Sequence, residues 1–506
     1  MEVDEFDFGS EDARNLNLRS ESERRAFVDS FVPPRRFKLD DFYEGGKYFV
    51  YGPKGAGKTA LLQYIRIKAE EELSAAAEFY FFQSSFSESE LNAFKAKKRN
   101  ENEEIIDDRS LVNADEAAIF WRLFFLVEAA RILRRSNVID GPASDFHKMV
   151  EISKLISQSK NVGKRYPVLK EFHIKLSKNP EIQIDGDFAE ATPADLSVYL
   201  ELAEEKLDSV YLEQRPIFLF VDEMEIYSHG DQRDDLRIVA IGSLVRAVRN
   251  FNERFFDSDI RIIAAIRDEV AERVSVVQGE IYRIIRDKGI KLEWNATIKS
   301  GFHPLEKMVL GRIVCQDGEF SGYRFPIDDS ELEAAHKKYF PGKHSLSKCL
   351  DLTWYRPRDL ALLFEEASII DAGRSKFRQK TLREDVLKSL GERLWQDALS
   401  GLAVQYTRTE LDGIDRIFRG GKPTYTRPDF IARISDLSDM YDDVAILSEI
   451  KWTKILEDLY RVGVLFTTEE STGYKNFYFR GDPPPAFSKA FTVSVHQSLR
   501  KELSIA

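Results

Sequence analysis

Two short runs carry residue types whose spacing can do chemistry. The first, Gly52-Pro53-Lys54-Gly55-Ala56-Gly57-Lys58-Thr59, fits the pattern G-x-x-x-x-G-K-[ST] without a mismatch. Glycines let backbone N–H groups close around an anion, a lysine adds a mobile cation, and a hydroxyl can sit on a divalent ion. On this pattern Gly52 through Ala60 form a phosphate cradle, Lys58 reaches the β- and γ-phosphates of a nucleotide, and Thr59 holds Mg²⁺. The second run, Pro216-Ile217-Phe218-Leu219-Phe220-Val221-Asp222-Glu223, closes an apolar stretch with two carboxylates. Asp222 would hold the metal, directly or through water, and Glu223 would polarise an attacking water. An Asp-Glu pair alone ends many solvated strands. Downstream of a phosphate loop, in this chain order, it supplies the other half of a Mg²⁺-dependent site.

These residues need elements to position them. Tyr48-Phe49-Val50-Tyr51 reads as a short buried strand, and Ala60 to Ile65 opens an amphipathic helix whose positive end faces the loop. Phe79 to Phe82 predicts a second strand, and the unbroken run Ile217 to Val221 one buried on both faces of a parallel sheet. A helix over Asp234 to Phe255 leads to the strand Arg261 to Ile266, a helix over Val270 to Arg286 follows, and Ile290 to Trp294 gives a fifth strand. Ala117 to Val127, interrupted by Arg122, is too short to span a bilayer and reads as a buried helix. The mixed-charge run Lys95 to Glu104 reads as a solvated loop or helix face, with nucleic acid contact as the sharper alternative.

Arginines at strand and helix ends offer sensors. Arg267 follows the fourth strand, where a planar cation can respond to the γ-phosphate, or pair with Asp268, Glu269 or Asp222. Arg358, in Tyr355-Arg356-Pro357-Arg358-Asp359, starts a helix and can face the nucleotide from a second domain, or serve as a cap or ion pair. Arg283 and Arg286 are candidates for a finger into a neighbouring subunit, or ordinary surface charges.

The totals set bounds. At 506 residues the chain exceeds one core, and about 150 residues per domain predicts three or so. A net charge of −12 argues against coating nucleic acid by charge alone. The two cysteines, Cys315 and Cys349, lack metal or disulfide spacing, and the acidic, polar N-terminus lacks a signal peptide's pattern; both predict a cytoplasmic protein with no membrane contact. The divisions expected are an N-terminal arm (1–42), a phosphate-loop domain (43–300) with an insertion at 137–186, a helical lid (301–374), a helical connector (375–443) and a winged-helix-like domain (444–506). The arm can lie over a nucleotide base or serve as solvated linker. The last domain rests on a helix, Trp452 to Arg461, stopped by Gly463, then a hairpin of Val464-Leu465-Phe466 and Lys475 to Arg480 around 467–473. Its charges nearly balance, which favours a protein contact over a grip on DNA.

The order GPKGAGKT, IFLFVDE, IIAAIRDE, YRPRDL and a terminal winged helix resembles the AAA+ and STAND ATPases of the origin-recognition branch, and more narrowly bacterial P-loop ATPases found in anti-phage defence neighbourhoods. The resemblance is specific at the phosphate loop and the Asp222-Glu223 strand. It implies an α/β P-loop NTPase fold with a five-stranded parallel sheet, the phosphate-loop strand beside the Asp-Glu strand's group, a helical lid, and ATP with Mg²⁺. By position it makes Lys58 and Thr59 the phosphate and metal residues, Asp222 and Glu223 the metal ligand and base, Arg267 the sensor and Arg358 the lid arginine. An arginine sensor fits the STAND pattern better than the polar residue usual in AAA+ proteins. Together with the long insertion, this leaves assembly with further copies of the chain open.

The function expected is an ATP-hydrolysing switch whose C-terminal region signals to a partner protein or effector. The alternative is a DNA-binding ATPase, a loader or sensor using the winged helix. A nucleotide kinase is the weaker third reading, because no acceptor site is visible.

Overall fold

The computed structural model describes residues 1–10, 12–15, 18, 20–81, 114–152, 193–210, 212, 215–224, 232–295, 301–320, 327–342, 344–447, 450–469, 471–487 and 492–505. The run 95–104, and the insertion beyond residue 152, lie outside them.

Apolar runs with no alternation must be covered on both faces, and here they form a parallel sheet between helices. Its strands are β1 (Phe49–Gly52), β2 (Ala76–Phe81), β3 (Ile217–Met224), β4 (Ile260–Arg267) and β5 (Gly289–Lys291), in the order β2-β3-β4-β1-β5. All four pairings are parallel, so the strands' C-terminal ends share one edge. Strand β1 does not neighbour the Asp222 strand directly. Strand β4 runs between them, with Gly52 level with Arg267 on one side and Val221 level with Ala264 on the other. The reason is burial: Ile260 to Ile266 is enclosed throughout, as a central strand requires.

One face of the sheet carries the helix Lys58–Glu72. The other carries Gln232–Arg254 and the helix Ala114–Arg135, whose middle is almost wholly buried and whose Trp121 Nε1 donates to the Ala240 carbonyl at 3.0 Å. The single helix expected over 270–286 is two, Asp268–Gln278 and Ile281–Asp287. Gly279, at φ +68° and ψ −144°, breaks it in a conformation that L residues rarely adopt.

Beyond the sheet, helices Pro304–Gln316, Asp329–Tyr339, Pro357–Ile370 and Leu387–Leu402 lead to the C-terminal region. The expected hairpin forms between β7 (Leu465–Thr468) and β8 (Lys475–Asn476), with Thr467 opposite Asn476. Its second arm is shorter than expected, since Tyr478–Arg480 turns into a 3₁₀ helix. Two strands not expected, β6 (Thr424–Thr426) and β9 (Thr492–Val495), complete an antiparallel sheet in the order β6-β9-β7-β8. After β9 come the 3₁₀ turn Gln497–Leu499 and further turns.

One hydrophobic core runs from Val3, Phe6 and Phe8 through the lid helices to Leu503 and Ile505. The chain's first residues therefore pack with the helices that follow the parallel sheet. Phe6 meets Tyr339 edge-on at 4.9 Å, and the Val3 N–H donates to the Arg374 carbonyl. Among the described residues no helix is long and apolar enough to cross a membrane.

Candidate functional site

The phosphate loop follows β1 and ends on the helix Lys58–Glu72. Gly55 and Gly57 take φ of +79° and +92°, so the loop needs residues without a Cβ at these two turns. Gly57 is the helix's N-cap, which aims the positive end of the helix dipole at the loop.

Lys58 Nζ donates to the carbonyls of Gly52 and Pro53, both at 2.9 Å. Burial, with the Arg267 cation beside it, lowers the Lys58 ammonium to about 8. Thr59 Oγ1 donates to Asp222 Oδ2 at 2.5 Å, so the two residues expected on the metal meet. Glu223 continues β3 beside Asp222, and its side chain lies outside the described residues. Asp268, just past Arg267, is pushed up to about 7 by burial, even with Lys291 at 3.8 Å.

Lys58, Thr59, Asp222 and Arg267 line a cavity of about 470 Å³. Of the residues expected in the cradle, Lys54, Gly55, Gly57, Lys58, Thr59 and Ala60 border it, together with Asp222, Arg267 and Arg358. Gly52, Pro53 and Ala56 shape the loop from behind. The first two offer carbonyls to Lys58, and Ala56 is buried, its carbonyl accepting from Trp294 Nε1 at 2.9 Å. Arg283 and Arg286 stand elsewhere; Arg283 is 67% exposed and pairs with Glu280 at 3.5 Å. The arm comes down on the cavity, with Phe27, Phe31, Val32 and Pro34 in its wall and Phe31 stacked on Tyr64 at 4.3 Å.

Two groups escaped sequence reasoning. Arg356, 7% exposed, donates to the Lys54 carbonyl at 2.9 Å and grips Asp359 with two bonds of 2.8 and 2.7 Å. The second arginine of Arg-Pro-Arg-Asp, Arg358, gives its N–H to the Gly55 carbonyl at 3.4 Å and its guanidinium to Asp397 at 3.1 Å. The i,i+3 spacing of Arg356 and Asp359 was a usable signal. Asp397, on Leu387–Leu402, carried none. It also takes Lys54 Nζ at 2.9 Å, so the Lys54 side chain is held by the connector helix.

The segment before Arg356 touches the C-terminal sheet. Trp354 packs on Gly463 and lies under the Arg356 guanidinium at 4.7 Å. Tyr355, at φ +53°, stacks on Phe479 at 5.8 Å and lies under Arg480 at 5.2 Å. Five consecutive residues thus join the phosphate loop to the far end of the chain.

Thr59 and Asp222 present adjoining hard oxygen atoms suited to Mg²⁺. Among the described residues no group of three or more His, Cys, Asp or Glu could hold a metal alone. A metal here would be shared with phosphate oxygens and water, where it would neutralise charge on the phosphates.

No protein-family model matches the chain. It is 22% identical over 480 residues to a putative transposon gamma-delta 80.3 kDa protein of Escherichia coli (strain K12). That alignment covers 92% of this chain and 63% of the relative, so the chain spans less than two thirds of that protein's length. Among solved structures, Cdc6p from Pyrobaculum aerophilum is similar with 11% identity over 95% of both chains, at a TM-score of 0.32. A likeness at that level carries no argument.

Proposed function

We propose that this chain is a Mg²⁺-dependent ATP hydrolase that works as a conformational switch and reports its nucleotide state through its C-terminal region to a partner protein. What carries the reading is the cavity in which Lys58, Thr59 and Asp222 from the sheet domain meet Arg358 from the lid. A cation placed across a domain boundary responds to the charge that hydrolysis removes. The run Trp354 to Arg358 gives that response a route to the C-terminal sheet.

The order of motifs is the ground for placing the switch among AAA+ and STAND ATPases, and for a role in bacterial defence in which the effector is a separate chain. Many arginines and lysines of the C-terminal region are paired with carboxylates, among them Arg416 with Asp443, Arg419 with Asp415, Lys422 with Asp429 and Arg480 with Asp351. Paired cations favour a protein contact. The DNA-binding alternative draws on the helix Trp452–Arg461 followed by the β7–β8 hairpin, the order expected for a winged helix, and on the relative named for a transposon. Duplex binding that weakens steeply between 50 and 200 mM salt, about a thousandfold or more for six phosphate contacts, would favour the alternative.

The full chain should release phosphate from ATP and Mg²⁺ without an added acceptor. Lys58→Ala should bind ATP roughly ten- to a hundredfold more weakly in calorimetric titration. Glu223→Gln should keep wild-type ATP affinity and hydrolyse about a hundredfold or more slowly. Wild-type affinity in the first variant would remove the loop from the site, and wild-type turnover in the second would remove Glu223 from the reaction.

A further inference from the structure

The carboxylate of Asp397 sits where three cations converge. Its Oδ1 lies 2.9 Å from Lys54 Nζ, and its Oδ2 lies 3.1 Å from Arg358 Nη1 and 3.3 Å from Arg356 Nη2. The three cations are not equivalent. Arg356 is fixed by two bonds to the buried Asp359 and one to the Lys54 carbonyl. Arg358 and Lys54 keep side chains about a fifth exposed, at 20% and 22%, and border the same cavity as Lys58 and Thr59. Asp397 borders it too, so a nucleotide's phosphate tail would enter beside a resident anion. Burial pushes the Asp397 carboxyl up, and Arg356, Arg358 and Lys54 more than reverse this, to about 2.

The helix that carries Asp397 belongs to the C-terminal half. Leu390, Leu394, Trp395, Ala398 and Leu402 bury its other face. Trp395 Nε1 donates to Asp415 at 2.7 Å, and Gly391 lies so close to the Ser498 carbonyl that a Cβ there would fall 2.3 Å from it.

We propose that Asp397 is a stand-in for phosphate, a latch that holds Arg358 and Lys54, and with them the helix Leu387–Leu402, on the phosphate loop until the γ-phosphate of ATP takes the cations away. This rests on the ATP-switch reading above and adds its regulation. Two anions cannot share the cations at full strength, because carboxylate and phosphate repel at this range in a partly buried site. The cations move to the γ-phosphate, and the helix is freed with the region packed on it. ADP, one phosphate shorter, leaves the latch closed.

The test uses the full chain in calorimetric titrations with ATP and with ADP, for wild type, Asp397→Asn, Arg358→Ala and the double variant. Asp397→Asn should bind ATP about tenfold more tightly, the scale of one charge-assisted hydrogen bond, and ADP within about twofold of wild type. Most of the ATP gain should vanish when Arg358→Ala is added. In wild type, amide exchange of residues 387–402 should rise with ATP and not with ADP. Should Asp397→Asn fail to fold, this exchange measurement decides alone. ATP binding by wild type with no gain in Asp397→Asn, an equal gain for ADP, or unchanged exchange on ATP would overturn the latch alone. Binding of neither nucleotide by wild type would overturn the ATP reading and the latch together.

Discussion

Lys58 is held by the loop it would serve. With its ammonium on the Gly52 and Pro53 carbonyls, the loop's own oxygens stand in for phosphate. Burial and Arg267 bring its acidity into reach of an ordinary assay, at about 8. Only the ammonium form can bind phosphate, so above that value binding must take up a proton. The affinity of the full chain for ATP should be flat from pH 7 to about 8, then fall by up to about tenfold per unit. Arg267→Ala removes a neighbouring positive charge, so the break should move to higher pH. Titrations at half-unit steps between pH 7 and 9.5 would show it, and a profile flat throughout would mean that Lys58 is not the group gaining the proton. This site was legible because each half is local, a glycine-lysine-threonine turn and a carboxylate closing an apolar run. Asp397 was not, because nothing near it in the chain records that Lys54, Arg356 and Arg358 arrive from two other segments.

At the scale of elements, the same contrast between local and distant causes holds. The strands of the parallel sheet declare themselves by burial on both faces, and the helix at Pro357 by its proline start. Strands β6 and β9 are only three and four residues long, and both are strands through distant partners: β6 pairs Thr424 with Ser494 and Thr426 with Thr492 of β9, and β9 pairs Val495 with Leu465 of β7. No periodicity within one segment carries that. Gly463 shows how a residue legible as a helix stop does a second, tertiary job. It takes φ +86°, and a Cβ on it would stand 3.0 Å from the Trp354 ring. Gly463→Ala should therefore lose about 1–3 kcal/mol for the left-handed backbone and a further share for crowding Trp354. Gly420→Ala is the control, since Gly420 is left-handed at φ +64° with nothing within 4 Å. Urea melts of both should place Gly463→Ala clearly below Gly420→Ala. Equal losses would mean that the indole gives way freely.

The molecule as a whole should have a weak point at acid pH, beside the segment that joins Arg356 to the C-terminal sheet. His303 caps the helix Pro304–Gln316 by accepting the Leu305 N–H at Nδ1, and His496 accepts the Ser498 N–H in the same way. His496 has a buried Nε2 without a hydrogen-bond partner, and the Trp294 backbone lies within reach of the His303 ring. Burial lowers His303 to about 4 and His496 to about 3, and burial lowers the nearby lid residue His336 too. His303 meets Tyr355 edge-on at 5.4 Å, and His496 meets Trp354 at 6.5 Å, so the pair flanks the segment that leads to Arg356 and Arg358. With folded values below the unfolded value of about 6.5, the unfolded chain binds more protons at mildly acid pH. Stability from these histidines is full above about 6.5 and falls as pH drops, approaching about 1.4 kcal/mol per unit for each. Urea melts at pH 7, 6 and 5 should show that decline before most carboxylates titrate. His303→Asn with His496→Asn, which keeps a capping acceptor and removes the titration, should flatten it by the share of two groups. If the slope were unchanged in the double variant, the acid sensitivity would belong to other groups.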